Sequence, residues 1–149
     1  MNKTLLIVAV ALLMAGCSKK STPAPVVDLK VQIVGKWNST SDVEVITKDG
    51  AAWHTYDIPG FIYLQFNNDG TGTRMWSDGP RTFKYTIGDK NIALIYDRID
   101  FPDGSFGPSF TDDLAIKSIS SGALVVIHED DVTQDGSLYH TVETEQFSK

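Results

Sequence analysis

Arg81-Thr82-Phe83-Lys84-Tyr85-Thr86-Ile87, followed at once by Gly88-Asp89-Lys90-Asn91, alternates apolar and polar side chains and then breaks on turn residues. A period of two puts Phe83, Tyr85 and Ile87 on one face of an extended strand and Thr82, Lys84 and Thr86 on the other. Upstream, Phe61 to Phe66 runs into Asn67-Asn68-Asp69-Gly70, where the glycine supplies the positive φ of a tight hairpin. Similar runs, rich in β-branched and aromatic residues, occupy 33–40, 43–48, 52–57, 71–76, 92–96, 113–119, 123–129 and 138–147. Apart from one turn near 26–32, no segment beyond the N-terminal one carries a helical stripe. The reading is all-β, an antiparallel meander of about eight to ten strands. Such a chain must deal with its two sheet edges, and closure into an up-and-down β-barrel removes them. A two-sheet sandwich is the alternative, but it needs long crossovers and only residues 97–111 offer one.

The first seventeen residues read differently. Lys3 precedes an apolar run from Leu5 to Met14, and Ala15-Gly16 leads into Cys17, the single cysteine of the chain. The run is about half the ~20 apolar residues that a spanning helix needs, and it is followed by Ser18-Lys19-Lys20-Ser21, so it reads as a secretory signal rather than an anchor. Leu13-Met14-Ala15-Gly16-Cys17 resembles the lipobox of bacterial lipoproteins, with Met14 in place of the usual leucine. That resemblance implies a diacylglycerol on the Cys17 thiol and cleavage before it. Residues 18–28 are small, polar and proline-containing, the composition of a tether. The expected organisation is therefore a signal peptide over 1–16, a lipidated cysteine and flexible tether over 17–28, and one β-barrel domain over 29–149.

Loss of Lys3 with the signal leaves twelve Lys plus Arg against nineteen Asp plus Glu, a formal charge of −7. So acidic a chain argues against nucleic-acid binding. With Cys17 carrying lipid, no disulfide and no thiolate chemistry remain, and the core must hold by apolar burial and backbone pairing.

Ile33-Val34-Gly35-Lys36-Trp37, Phe66-Asn67-Asn68-Asp69-Gly70-Thr71-Gly72-Thr73, Phe83-Lys84-Tyr85-Thr86-Ile87, and Leu114-Ala115-Ile116 with Leu124-Val125-Val126-Ile127 resemble the lipocalin-like domain lipoproteins of Bacteroidetes. The resemblance covers nearly all of residues 29–149 and implies a lipocalin-like, calycin-type barrel on an outer-membrane lipoprotein. Ser18 after the cysteine resembles the outer-membrane-sorted class, and the absence of an acidic run behind Cys17 resembles lipoproteins that stay on the periplasmic face; surface display stays open as well. On the opening strand, Trp37 is expected to plug one barrel end, with Gly35 leaving room for strong coiling.

An eight-strand barrel is just wide enough to be filled by side chains or to hold one small ligand. Trp53, Tyr56, Trp76 and Tyr96 fall near strand ends, where a mouth would open, and are the candidate ligand contacts. The loop from Asp97 to Thr111 adds Phe101, Phe106 and Phe110 in a Gly- and Pro-rich setting, either a lid over the mouth or a cover that closes the core. His128 and His140 stand where pairing outward from the 130–137 loop could bring them together, but spacing places no third zinc ligand. Asp131, Thr133, Asp135 and Gly136 match the start of a calcium loop, yet Val142 stands where the bidentate glutamate belongs, so a hairpin tip is the better reading. No catalytic motif, metal set or cofactor motif is present. The expectation is a monomeric, non-enzymatic envelope protein that holds a small apolar or amphipathic ligand. The alternative is a solid barrel whose loops dock envelope proteins or glycans.

Overall fold

The computed structural model describes residues 28–58, 60–100 and 106–149, so Cys17, the expected signal and most of the expected tether lie outside the described residues. One helical turn, α1 (Leu29–Ile33), is capped by Asp28, whose carboxylate accepts from the Lys30 amide. The strands follow as β1 (Gly35–Lys48), β2 (Ala51–Asp57), β3 (Phe61–Phe66), β4 (Thr71–Trp76), β5 (Gly79–Ile87), β6 (Asn91–Tyr96), β7 (Ile99–Asp100), β8 (Phe106–Gly107), β9 (Phe110–Ile119), β10 (Ala123–Gln134) and β11 (Ser137–Ser148). Every pairing is antiparallel, in the order β11-β10-β9-β6-β5-β4-β3-β1, and β11 returns to β1. Eight strands thus close a barrel, and β2 lies outside it as an extra strand on β1. The short β7–β8 ribbon makes the 97–111 connection a wide hairpin rather than a sandwich crossover.

Closure follows from the alternation. Leu64 and Phe66, Ile92 and Leu94, Leu124 and Val126, with Phe83, Leu114 and Phe147, point inward and are all but inaccessible. Each buried apolar side chain of this size contributes ~1.5–3 kcal/mol, enough together to define one core. Gly72 serves that core: a Cβ there would collide with the Phe83 ring and the Gln65 carbonyl, so β4 needs its glycine for the barrel to close.

Two departures from the sequence reading have local causes. Residues 33–40 and 43–48 were expected as separate strands. They form a single 14-residue strand from Gly35, in which the register slips between Ser39 and Ser41. That bulge absorbs Thr40, whose hydroxyl donates to the Gln146 carbonyl, and it changes which parity of β1 faces the barrel interior. Likewise β10 runs on to Gln134 instead of stopping at 129, so Glu129-Asp130-Asp131 lies on a strand and the tip is Asp135-Gly136, both at positive φ.

The long strands give the barrel an extension. β1 beyond Asp42, β2, the second half of β10 and the first half of β11 form a four-stranded sheet that projects past the end of the closed barrel. Asp49 ties its tip, its amide donating to the Leu138 carbonyl and its carboxylate accepting from the Leu138 amide. At the opposite end, Trp37 is fully buried and its indole donates to the Ile33 carbonyl at 2.6 Å, so the predicted plug is in place.

Candidate functional site at the barrel mouth

The strand directions fix which residues meet at the open end. β4 and β6 end there, at Trp76 and Tyr96; β5 and β9 begin there; β10 and β11 pass through on their way to the projecting sheet. Between them lies an open cavity of about 330 Å³ lined by Arg74, Trp76, Arg81, Tyr96, Phe110, Thr111, Asp112, His128 and Glu143. Its apolar walls are the Trp76 ring and a stacked pair, Tyr96 and Phe110, with centroids 4.5 Å apart and planes within 9°.

Arg74 organises the polar part. It is 5% exposed, and its guanidinium lies against the rings of Phe61 and Trp76, at 4.5 and 4.8 Å from their centroids. One terminal nitrogen donates to Asp112 Oδ2 at 2.8 Å and the other to Glu145 Oε1 at 2.7 Å. Burial acts to lower its pKa, but Glu145, then Tyr96 and Asp112, outweigh that and the cation is held more firmly than usual. The other oxygen of Asp112 sits 2.9 Å from His128 Nδ1, although the two are not aligned for a hydrogen bond. Arg81, at the rim, bonds Asp78 at 2.8 Å and covers Trp76 from a second direction.

Behind this pair lies an excess of carboxylates. Asp42 stands directly opposite Glu145 in the β1–β11 register, and Glu44 opposite Glu143. Asp42 is pushed up to about 7, chiefly by burial and then by Glu143 and Glu145, with Arg74 opposing. Glu145 is also pushed up to about 7, again chiefly by burial, which outweighs its bond to Arg74. Both Asp42 oxygens and Glu145 Oε2 are buried without a donor, as are Arg74 Nε and the Tyr96 hydroxyl as unpartnered polar atoms. Burial also raises the Tyr96 phenol.

Of the aromatic residues read from sequence as candidates, Trp76, Tyr96 and the loop's Phe110 line the cavity. Trp53 and Tyr56 lie on β2, outside the barrel closure, half-exposed at 48% and 46%. They are not isolated from the site, however. Tyr56 opposes Glu44, which opposes Glu143, which opposes His128, and directly opposed residues share a face. Trp53, at the β1–β2 bulge, packs edge-on against Tyr139 at 5.0 Å and against His54 at 4.3 Å. These rings form an aromatic apron on the face that continues the cavity wall. Phe101 lies outside the described residues, and for Phe106 only its place on β8 is described. Cys17, expected to carry the lipid, is likewise outside.

The suggested His128–His140 meeting is corrected by the register: His128 faces Glu143, whereas His140 faces Asp131 and bonds it at 2.8 Å. Pairing runs from a two-residue tip at 135–136, not from a loop over 130–137, which separates the histidines by three positions. Among the described residues no cluster of three or more His, Cys, Asp or Glu could hold a metal ion.

Sequence reasoning missed Arg74, Asp112, Glu143 and Glu145. A signal existed: Arg74 is in phase with inward Gly72 and Trp76, Asp112 with Leu114 and Ile116, and Glu145 with Phe147. Asp42 had none, because only the bulge at Thr40 turns its parity inward.

Fold and site together define a closed antiparallel β-barrel with one plugged end and one open, charged and aromatic end. Comparison with protein-family models, with curated proteins and with solved structures yields no match. Among the described residues no helix is long and apolar enough to cross a membrane.

Proposed function

We propose that the chain is a lipid-anchored cell-envelope protein of the lipocalin-like kind, which holds a small amphipathic molecule at its barrel mouth and carries out no chemistry on it. The observation that carries this reading is the 330 Å³ cavity, walled by Trp76, Tyr96 and Phe110 and edged by charged groups. Ligand sites combine an apolar wall with a few placed polar groups in this way. The described residues begin at Asp28, which with Leu29 lines a recess shared with Gly88, Ile116 and Ile119. A lipid on Cys17 would tether the barrel to an outer membrane, on its periplasmic side or at the cell surface.

The test is native mass spectrometry of the protein purified from its own host under mild conditions, followed by denaturation to release small molecules. A stoichiometric adduct, lost in Trp76→Ala or Tyr96→Ala, is the expected result. A clean apo mass with no uptake of hydrophobic probes overturns it. That outcome would favour the second reading, a module docking envelope proteins or glycans, which the half-exposed Trp53 and Tyr56 support.

A further inference from the structure

Resting on the ligand-carrier reading, we infer that the head group accepted at the mouth is an organic ammonium, seated against Glu143 with the alkyl or ring portion on Trp76, Tyr96 and the apron of β2.

The charge distribution carries the argument. Both guanidinium groups at the cavity already hold carboxylates, Arg74 those of Asp112 and Glu145 and Arg81 that of Asp78, with Arg74 Nε alone of the Arg74 nitrogens left unpartnered. Once those pairs are set aside, the remaining carboxylates are Glu143 on the cavity wall and Asp42 beside it, and no described lysine lines the cavity. An anionic head would meet this surplus without a free cation to receive it; an ammonium would meet acceptors. Coulomb attraction of this kind is strongest where water is partly excluded.

Unsatisfied acceptors point the same way. Asp42 is only 7% exposed and neither of its oxygens has a donor, and Glu145 Oε2 lacks one as well. The Tyr96 hydroxyl, on a residue 2% exposed that lines the cavity, is a further unpartnered polar atom. Buried acceptors left unpaired are costly, and in native proteins they mark places where something else completes the network. In the protein alone a proton on the Asp42–Glu145 pair, both buried and both pushed up to about 7, fills that role. The groups facing Asp42 are Glu143 and Glu145 from β11, which favour the proton, and Arg74 from β4, which opposes it. An ammonium docking at Glu143 makes that proton redundant, so binding releases it to solvent. The one bond broken is a carboxyl O–H: the Asp42–Glu145 pair gives up one H⁺ to solvent and keeps the electron pair as carboxylate, while the ligand contributes N–H donors.

Three probes with one tail and different heads test this: octylammonium, octanol and octanoate, titrated calorimetrically into the wild-type protein and Glu143→Gln at pH 7. Octylammonium is expected to bind at least tenfold tighter than octanol, with octanoate weakest, and Glu143→Gln is expected to bring the affinity ratio of octylammonium to octanol close to one. Repeating the octylammonium titration in buffers of different ionisation enthalpy is expected to show net proton release. Equal binding of octanol and octylammonium, or tighter binding of octanoate, overturns the ammonium assignment and leaves the carrier reading standing. If none of the three binds, both fall.

Discussion

The two ends of the barrel are built from the same alternating strands and are finished in opposite ways. At the plugged end Trp37 is fully buried and its indole is satisfied by the Ile33 carbonyl. Lys149 donates to the carbonyls of Gln32 and Val34 and covers the Trp37 ring at 4.4 Å. At the open end Arg74 is locked between Asp112 and Glu145. Among the described residues, every buried side-chain polar atom that lacks a partner lies there or in the carboxylate cluster behind it. One end is therefore finished as core. The other keeps polar groups whose demands the protein itself does not meet, the mark of a site selected for something besides stability.

The largest effect that could break this contrast is loss of the plug. Trp37→Ala empties a fully buried indole site and leaves the Ile33 carbonyl without its donor, and a cost of ~3–5 kcal/mol is expected. Urea unfolding reads it directly, and a loss under 1 kcal/mol would mean that the closed end is not the stabilising one. Arg74→Ala should approach the same size, ~3–5 kcal/mol at pH 8, because it strands two carboxylates that its guanidinium now pairs. Its penalty should shrink at pH 5, where Glu145, pushed up to about 7 by burial, holds a proton. A pH-independent penalty would mean that Arg74 acts mainly by packing on Phe61 and Trp76.

How far each end was legible in the sequence follows from the same difference. The plugged end and the barrel wall obey one rule, apolar side chains at period two between turn residues. The strands 61–66, 71–76 and 92–96 therefore read directly, and so did the role of Trp37. The open end was only half legible. Trp76 and Tyr96 announced themselves as aromatics at strand ends, whereas Arg74 and Glu145 looked like the polar residues of a solvated face. Their burial depends on contacts across sheet neighbours distant in sequence, Arg74 with Asp112 and Glu145. Asp42 required knowledge of a one-residue bulge, which no periodicity announces.

A subtler test uses the sign of the carboxyl shifts. In the folded protein Asp42 and Glu145 are both pushed up to about 7, whereas in the unfolded chain they release their protons near the ordinary carboxyl values of about 4. The folded state thus binds more protons across that interval, so their contribution to stability is complete below about pH 4 and is lost as pH rises to about 7. Asp42→Asn mimics the protonated acid. At pH 8 it should gain ~1–3 kcal/mol over wild type and near pH 4 almost nothing, and thermal unfolding at the two pH values checks both. A loss of stability at pH 8 would mean that the ionised Asp42 is wanted in the unliganded protein, and the contrast between a finished and an unfinished end would weaken.

The smallest expected effect lies back at the plugged end. Lys149 is exposed along its length, and its ammonium bonds two carbonyls that solvent could otherwise reach, so Lys149→Met removes two charge-assisted hydrogen bonds and one contact with the Trp37 ring. Water replaces most of that, and the net cost should be ~1 kcal/mol. The informative quantity is the position of the change. If the plug and the mouth are independent, the substitution lowers the unfolding midpoint slightly and leaves the affinity of the mouth for its probes untouched, since the two sites share no residue and distant changes add. If probe affinity fell with it, the strand that links them would be transmitting the change. β1 runs from Gly35 at the plug to Asp42 at the carboxylate cluster, and its bulge at Thr40 would be the hinge to examine.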